Sequence, residues 1–226
     1  MKRTLLMTVA VIAAVAFAGT ANAGLLGTYY NLEEYHPDMQ GPITGLDTGL
    51  VEALLTGATP TLSAYGTTRI NQFDWWDPMY EVFSRVDSDD DLFNSFSPSW
   101  YPVDTGLPGD PYHFAVHWEG FFNVDTDMTY TYYMGADDDA WVFIDNQLVG
   151  DLGGVHAMDY TDFDVDLTAG VHTIDIFFAE RHTVESGFKM NFFSKLSPPI
   201  PEPSTLLLMG TGLIGLVGVA TRRFRK

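Results

Sequence analysis

Three consecutive aspartates, Asp137, Asp138 and Asp139, lie between two apolar segments that are typical of strands. Adjacent carboxylates at a turn repel each other unless water solvates them or a cation is shared between them. Both alternatives remain open from the residues alone. The chain contains no cysteine, so a bound metal would need oxygen or imidazole ligands, and the abundance of oxygen ligands favours a hard cation such as Ca²⁺.

A second polar group, Glu180-Arg181-His182, directly follows the apolar run that ends at Ala179. Arg181 either pairs with an acid as a structural ion pair or contacts a ligand at the mouth of a site. Upstream, Gly153-Gly154 predicts a tight turn or a close backbone approach just before His156. A histidine in that position is more commonly a hydrogen-bonded structural residue than a metal ligand.

The charge of the central region restricts the possible partners. Residues 24–200 carry 5 Lys and Arg against 29 Asp and Glu, a net charge of −24. Such a surface repels phosphate backbones, which argues against nucleic-acid binding. Hydrophobic residues make up 46% of the chain, enough for a folded core. Nucleophile-elbow, zinc-protease and phosphate-loop motifs are all missing, which argues against an enzyme.

The elements that would position these groups are predicted to be strands. Residues 37–66 are rich in glycine and proline and leave room only for short elements, including one helical turn at Leu50–Leu55. The acidic run from Asp87 to Asp91 is predicted to be a solvated loop. Short alternating or apolar runs predict strands and an all-β fold, a single β-sandwich or a barrel, without internal repeats. These runs are 27–31, 114–124, 129–134, 141–144, 163–167, 171–178 and 187–193.

The N-terminal segment 1–23 is typical of a signal peptide. Lys2 and Arg3 precede an apolar run from Leu5 to Ala18, and Ala21-Asn22-Ala23 forms a small-x-small cleavage site. We expect signal peptidase to cut before Gly24. An uncleaved membrane anchor is the alternative interpretation.

The C-terminal segment has three parts: a proline-rich spacer at 198–203, an uncharged stretch at 204–221 and a basic tail at 222–226. Pro201-Glu202-Pro203, the apolar stretch from Leu206 and the closing run 222–226 together resemble the PEP-CTERM sorting signal of Gram-negative bacteria. The resemblance implies recognition by an exosortase-type membrane protease, removal of the tail, and release to the cell surface or extracellular matrix. A plain C-terminal membrane anchor is the alternative.

Two signatures in the central region carry a second resemblance. Residues 137–145, 148–149 and 151–156 form one, and residues 177–183 with 185–186 form the other. Together they closely resemble the fibro-slime domain, a relative of the anthrax protective-antigen type β-sandwich that is also found in yeast flocculins. Gly24–Asn31 and Trp118-Glu119-Gly120 resemble the first and central strands of that larger family. The resemblance implies one β-sandwich domain over residues 24–197.

The same resemblance implies a calcium site. In lectin members of the larger family, two adjacent aspartates and an asparagine on a later loop bind calcium. Asp137 and Asp138 match the aspartate pair, with a cis peptide bond between them, and Glu180 stands where the asparagine would be. The glutamate keeps an oxygen ligand and adds negative charge. Residues expected to contact a ligand beside the cation are Asp139, His156, Arg181 and His182. Trp118 and Trp141 offer stacking faces, but Trp141 alternates with Val142, which favours a place in the core for that residue.

Three functions follow as hypotheses. The first is an exported, calcium-dependent module that binds a surface polysaccharide for adhesion or exopolysaccharide association. The second is a structural matrix protein in which the cation only stabilises the fold. The third is a glycoside hydrolase, although carboxylate pairs arise by chance in so acidic a chain.

Overall fold

The computed structural model describes residues 24–88, 100–103 and 111–191, which form an all-β sandwich. The six-stranded antiparallel sheet has the order β2-β1-β3-β8-β5-β6, and the three-stranded sheet has the order β7-β4-β9. The strands are β1 Gly24–Asn31, β2 Glu81–Ser88, β3 Phe114–Val124, β4 Met128–Asp137, β5 Asp139–Ile144, β6 Gln147–Leu152, β7 Asp159–Leu167, β8 Gly170–Glu180 and β9 Gly187–Met190; single 3₁₀ turns lie at Gly66–Thr68 and Pro78–Tyr80.

The core between the two sheets is built from inward-facing apolar residues, which alternate with outward-facing residues along the central strands. Every second residue of β3 and β8 points inward, because successive side chains of a strand lie on opposite faces. These residues pack against β4, β7 and β9. The main contributors are Phe114, Val116, Trp118, Ile174, Ile176 and Phe178 from the large sheet, and Tyr132, Met134, Val165, Leu167, Phe188 and Met190 from the small sheet.

A second core covers the outer face of the six-stranded sheet. The segment between β1 and β2 lies over that face and packs Leu50, Ile70, Trp75 and Trp76, among others, on Trp141, Phe143 and Phe177. Strand β5 is therefore buried along its whole length, which explains its continuous apolar sequence. The predicted helical turn at Leu50–Leu55 is wrong, since this stretch instead forms isolated bridges from Val51 to Leu62 and from Leu54 to Gln147.

The strand predictions are confirmed, most of them with longer bounds, and the structure adds β2 and β6. Strand β9 ends at Met190, short of the predicted end at residue 193, and residues 192–193 lie outside the described residues. The prediction of a solvated loop is wrong for Asp87, which is only 3% exposed on β2. Its carboxylate accepts hydrogen bonds from the Tyr29 hydroxyl at 2.5 Å, Trp118 Nε1 at 2.7 Å and Arg85 Nε at 2.6 Å. Residues 89–91 lie outside the described residues.

The predicted signal peptide 1–23, spacer 198–203, apolar stretch 204–221 and basic tail 222–226 also lie outside the described residues. They stay predictions from the sequence. Within the part of the chain that the structure describes, no helix has the length and apolar character needed to cross a membrane.

Candidate metal and ligand site

The strand order brings the aspartate corner to the end of β8. Asp137 is the last residue of β4 in the small sheet, and Asp139 is the first residue of β5 in the large sheet. Strand β5 begins opposite Ala179 of β8, so the corner that precedes β5 lies beside the next residue along β8, Glu180. The Asp137–Asp138 peptide bond is cis, as the resemblance implies.

Asp137, Asp138 and Glu180 form a compact, buried group of carboxylates. One oxygen from each lies within 4.8 Å of the other two, and the residues are 5%, 1% and 0% exposed. Asp138 accepts hydrogen bonds from the backbone N–H groups of His156 at 2.8 Å and Arg181 at 2.9 Å. The structure thus brings together the three residues predicted as metal ligands.

The Glu180 carboxylate is only half satisfied. Its Oε1 accepts a hydrogen bond from the backbone N–H of His182 at 2.8 Å, whereas Oε2 is buried without a hydrogen-bond partner. A buried polar atom without a partner carries the full cost of its lost hydration. Oε2 therefore needs a proton or a cation beside it.

The carboxyl groups of this cluster hold their protons unusually tightly. Burial, followed by the charge of Asp138, raises the pKa of Asp137 from 3.8 to about 7. Burial, again with repulsion from Asp138, holds the pKa of Glu180 well above its usual range. Burial also raises the pKa of Asp138 against the opposing effect of two backbone N–H groups. A divalent cation would remove this repulsion, so the residues fit an oxygen-coordinated metal such as Ca²⁺.

A pocket opens directly beside the carboxylates. It is a cavity of about 140 Å³ whose lining includes Asp137 and Asp138 at the base. Ile43 and Val184 at its edge are each 72% exposed. The remaining lining residues are Val155, His156, Ala157, His182 and Glu185. Two of the residues expected to contact a ligand, His156 and His182, therefore lie in the pocket wall.

Asp139 and Arg181 have a different place. The Arg181 guanidinium donates from Nε to Asp139 Oδ2 at 2.6 Å and from Nη2 to Oδ1 at 3.1 Å. It also lies 4.9 Å from the centre of the Trp75 ring. Arg181 is 6% exposed and Asp139 is 0% exposed, and neither residue lines the pocket. The structure thus matches the ion-pair interpretation of Arg181 and places Asp139 as its partner.

The expected stacking faces are not available. Trp118 is 2% exposed in the core between the sheets, and Trp141 is fully buried in the outer core. Neither ring reaches the pocket lining. The expectation of stacking on a ligand is wrong for Trp118, and the core interpretation of Trp141 is confirmed, because the two side chains fill the two cores.

The segment around Ile43 was missed by the sequence analysis. The backbone N–H groups of Thr44 and Gly45 donate to Val155 O at 3.0 Å, which brings this segment against the turn after β6. Gly154 makes the approach possible: its φ is +112°, and a Cβ there would lie 2.4 Å from Gly45 O. Gly153-Gly154 was the one signal in the sequence, since it predicted a close backbone approach without naming the partner.

The chain resembles several known proteins. It is 28% identical over 213 residues to protein psiI of Dictyostelium discoideum, covering 74% of this chain and 30% of that protein. The chain spans less than a third of the length of this and the next curated relatives it matches. Among solved structures, an anti-sigma factor domain-containing protein matches with a TM-score of 0.49 and 18% identity, covering 80% of this chain and 50% of that one. A PA14 sugar-binding domain from an RTX adhesin matches with a TM-score of 0.43 and 17% identity, covering 78% and 95%.

Two family matches agree with the sequence signatures. Residues 199–226 match the PEP-CTERM protein-sorting motif, which marks the chain for export. Residues 83–195 match the PA14 domain, so the larger family expected from the sequence is confirmed, while the narrower fibro-slime assignment stays a resemblance. This second match covers half of the chain and contains β3 to β9 with all three carboxylates of the candidate metal site. The chain therefore belongs to the PA14 domain family.

Proposed function

We propose that the chain is an exported, non-catalytic module that binds carbohydrate through a calcium ion held by Asp137, Asp138 and Glu180. The observation that carries this proposal is the convergence of three buried carboxylates, Asp137, Asp138 and Glu180, the last with an unpaired oxygen, beside a pocket that the first two line. Membership of the PA14 family and the resemblance to its calcium-binding lectins support it. The sorting motif supports release at the cell surface or matrix, after cleavage by signal peptidase and an exosortase-type protease.

The calcium ion and the residues that line the pocket would each contribute a different contact to a bound sugar. A bound calcium supplies positive charge and coordination positions that sugar hydroxyls can occupy. The imidazole of His182 offers hydrogen bonds from the pocket wall, whereas that of His156 is buried and already contacts Ala157 O at 2.9 Å and Leu152 O at 3.4 Å. Ile43 and Val184 at the edge offer apolar contact to the C–H face of a sugar ring.

The charge of the site favours a neutral sugar over an acidic one. Three carboxylates exceed the charge of one Ca²⁺ by one negative unit, and Glu185 adds another at the pocket. The attraction for an acidic sugar that Arg181 would have supplied is missing, because its guanidinium is committed to buried Asp139. A neutral surface polysaccharide is therefore the proposed ligand class.

One observation favours the alternative of a structural matrix protein. The carboxylates that would hold calcium already bind the backbone N–H groups of His156, Arg181 and His182. A cation there would fasten the loop after β6 to the loop after β8 even without a ligand. Calcium would then stabilise the domain and leave glycan binding unchanged.

A calcium titration of the unfolding transition tests the metal site. A cation that binds only the folded state adds about 2.7 kcal/mol at a hundredfold excess over its dissociation constant. For a domain of this size that corresponds to a rise in Tm of about 5–11 °C. Asp138→Asn should abolish the rise. Asp162→Asn, at an exposed position of β7, is the matched control and should retain it.

A glycan array in calcium and in chelator then separates the two functions. Carbohydrate binding predicts retention of neutral glycans in calcium only, weakened by His182→Ala while the calcium-dependent rise in Tm persists. A rise in Tm without any calcium-dependent glycan retention would favour the structural alternative. An unchanged rise in Asp138→Asn would show that the calcium assignment is wrong.

A further inference from the structure

A second group of metal-ligating side chains lies on the outer face of the six-stranded sheet. His117 and Glu119 are two residues apart on β3 and share that face, and Asp175 is the direct cross-strand partner of Glu119 on β8. One ligand atom from each of the three lies within 4.8 Å of the other two. His117 Nε2 is 2.8 Å from Asp175 Oδ1.

The pairing of Glu119 with Asp175 is electrostatically unfavourable as it stands. Like charges directly opposite each other in an antiparallel pair are destabilising. Glu119 makes no hydrogen bond or ion pair with the described residues. Every described Lys and Arg is engaged elsewhere: Arg69 with Asp47, Arg85 with Asp87, Arg181 with Asp139, and Lys189 over the Tyr133 ring. The two facing carboxylates therefore have one neighbouring imidazole and no Lys or Arg partner among the described residues.

The imidazole is held in one orientation. The His117 ring stacks on Phe177 with centroids 4.2 Å apart and an interplanar angle of 10°. The side chains of His117 and Asp175 are 13% and 18% exposed, so the group is sheltered and still open to solvent. A ring that packing already orients loses little freedom on binding a metal.

We propose that His117, Glu119 and Asp175 bind a first-row transition metal ion of the zinc class. One imidazole nitrogen and two carboxylate oxygens form a mixed ligand set that suits Zn²⁺ better than Ca²⁺, with water completing the coordination. The site is separate from the calcium site. Asp175 and Glu180 lie on opposite faces of β8, five residues and about 16 Å apart along the strand.

Cobalt binding tests the proposal, with Co²⁺ as a coloured substitute for Zn²⁺. The full chain, free of any histidine tag and in a mild detergent, is titrated with CoCl₂ in saturating calcium. We expect visible absorption bands that one equivalent of Zn²⁺ abolishes. His117→Gln should remove them. Glu119→Gln should weaken zinc affinity by about tenfold or more, since even the loss of an outer-shell partner costs 10–100-fold.

His172→Gln is the matched control. His172 lies on β8 and, like His117, pairs with an aspartate, in this case Asp145 at 2.6 Å, while its ring stacks on Phe122. It belongs to no group of three potential metal ligands in the described chain. Its variant should keep the full cobalt spectrum and zinc affinity.

Three results would overturn the proposal: no cobalt bands in the wild type, zinc affinity in Glu119→Gln equal to that of the wild type, or displacement of cobalt by millimolar calcium. Unfolding of each variant in chelator separates loss of metal from loss of fold. Glu119→Gln is the most informative variant, because Glu119 makes no hydrogen bond to another described residue whose loss would disturb the fold. A Glu119→Gln protein with normal metal-free stability and weakened zinc binding supports the site.

Discussion

Replacing Arg181 by methionine should destabilise the domain strongly without acting on the ligand directly. Methionine keeps an unbranched side chain and removes the charge. The guanidinium that it replaces is 6% exposed, makes two hydrogen bonds to Asp139, and lies over the Trp75 ring. The substitution thus breaks one buried ion pair and one cation–π contact.

The magnitude follows from what is left behind. Asp139 is 0% exposed, and its remaining hydrogen bond is the one from the Gly154 N–H at 2.6 Å. Removing one partner of a buried ion pair costs about 3–5 kcal/mol, because the other charge stays buried and uncompensated. In a domain of this size the loss corresponds to a fall in Tm of about 6–20 °C.

Urea unfolding in saturating calcium is the suitable assay, since it keeps the neighbouring metal site constant. Arg69→Met is the matched control. Its side chain is 41% exposed and pairs with Asp47 at 2.8 Å, so its loss should cost far less than the loss of the buried pair, because solvent screens an exposed ion pair. The double variant Arg181→Met/Asp139→Leu removes both buried charges and should recover part of the lost stability.

Two outcomes would refute the reasoning. If Arg181→Met costs no more than Arg69→Met, then Asp139 is not left as an uncompensated buried charge. If Arg181→Met keeps its stability and loses glycan retention, the guanidinium contacts the ligand, contrary to its placement behind the pocket.

Three further predictions test other parts of the molecule. In chelator, the free energy of unfolding should fall as pH rises from about 4 to about 7. The reason is that Asp137 keeps its proton up to a pKa of about 7 in the folded domain, whereas the unfolded carboxyl loses it near 3.8. Urea unfolding across this pH range should show the fall, and saturating calcium should suppress it. Gly154→Ala should destabilise the fold more than Gly170→Ala. Both residues have positive φ, but only the Cβ at 154 would meet backbone, 2.4 Å from Gly45 O. Equal losses in the free energy of unfolding, measured in urea, would contradict the predicted clash. Protein from the culture medium should have the intact mass of a chain that starts at Gly24 and ends near Pro203. A released species that retains the basic tail would contradict processing at the sorting motif.

The strands of the sandwich could be predicted because burial on one face or on both faces gives each strand a regular pattern of apolar residues. Strands β3, β7 and β8 alternate, and β5 is continuously apolar because it is covered on both sides. The outer cover could not be predicted in the same way. Its residues are held by isolated bridges and by apolar anchors such as Trp75, which follow no period of 2 or 3.6.

The candidate metal site was predictable only through resemblance. Asp138 and Glu180 are 42 residues apart, and they meet because β5 pairs with β8, a strand order that spacing along the chain does not determine. The sequence could not decide whether Arg181 forms an ion pair or contacts a ligand, and it offered two adjacent aspartates, Asp138 and Asp139, as possible ion-pair partners. The structure separates them: Asp138 accepts the backbone N–H groups of His156 and Arg181, while Asp139 takes the guanidinium.

The direction of β9 sets the side of the sandwich at which the described domain ends. Its first residue, Gly187, pairs with Asp137 beside the pocket, and its last residue, Met190, pairs with Met134, about 10 Å farther along β4. The chain thus leaves the sandwich heading away from the pocket toward the segment that carries the sorting motif. The described domain therefore ends on the side of the sandwich that faces away from the pocket, and a surface linkage made directly after β9 would leave the pocket open to a large polymer.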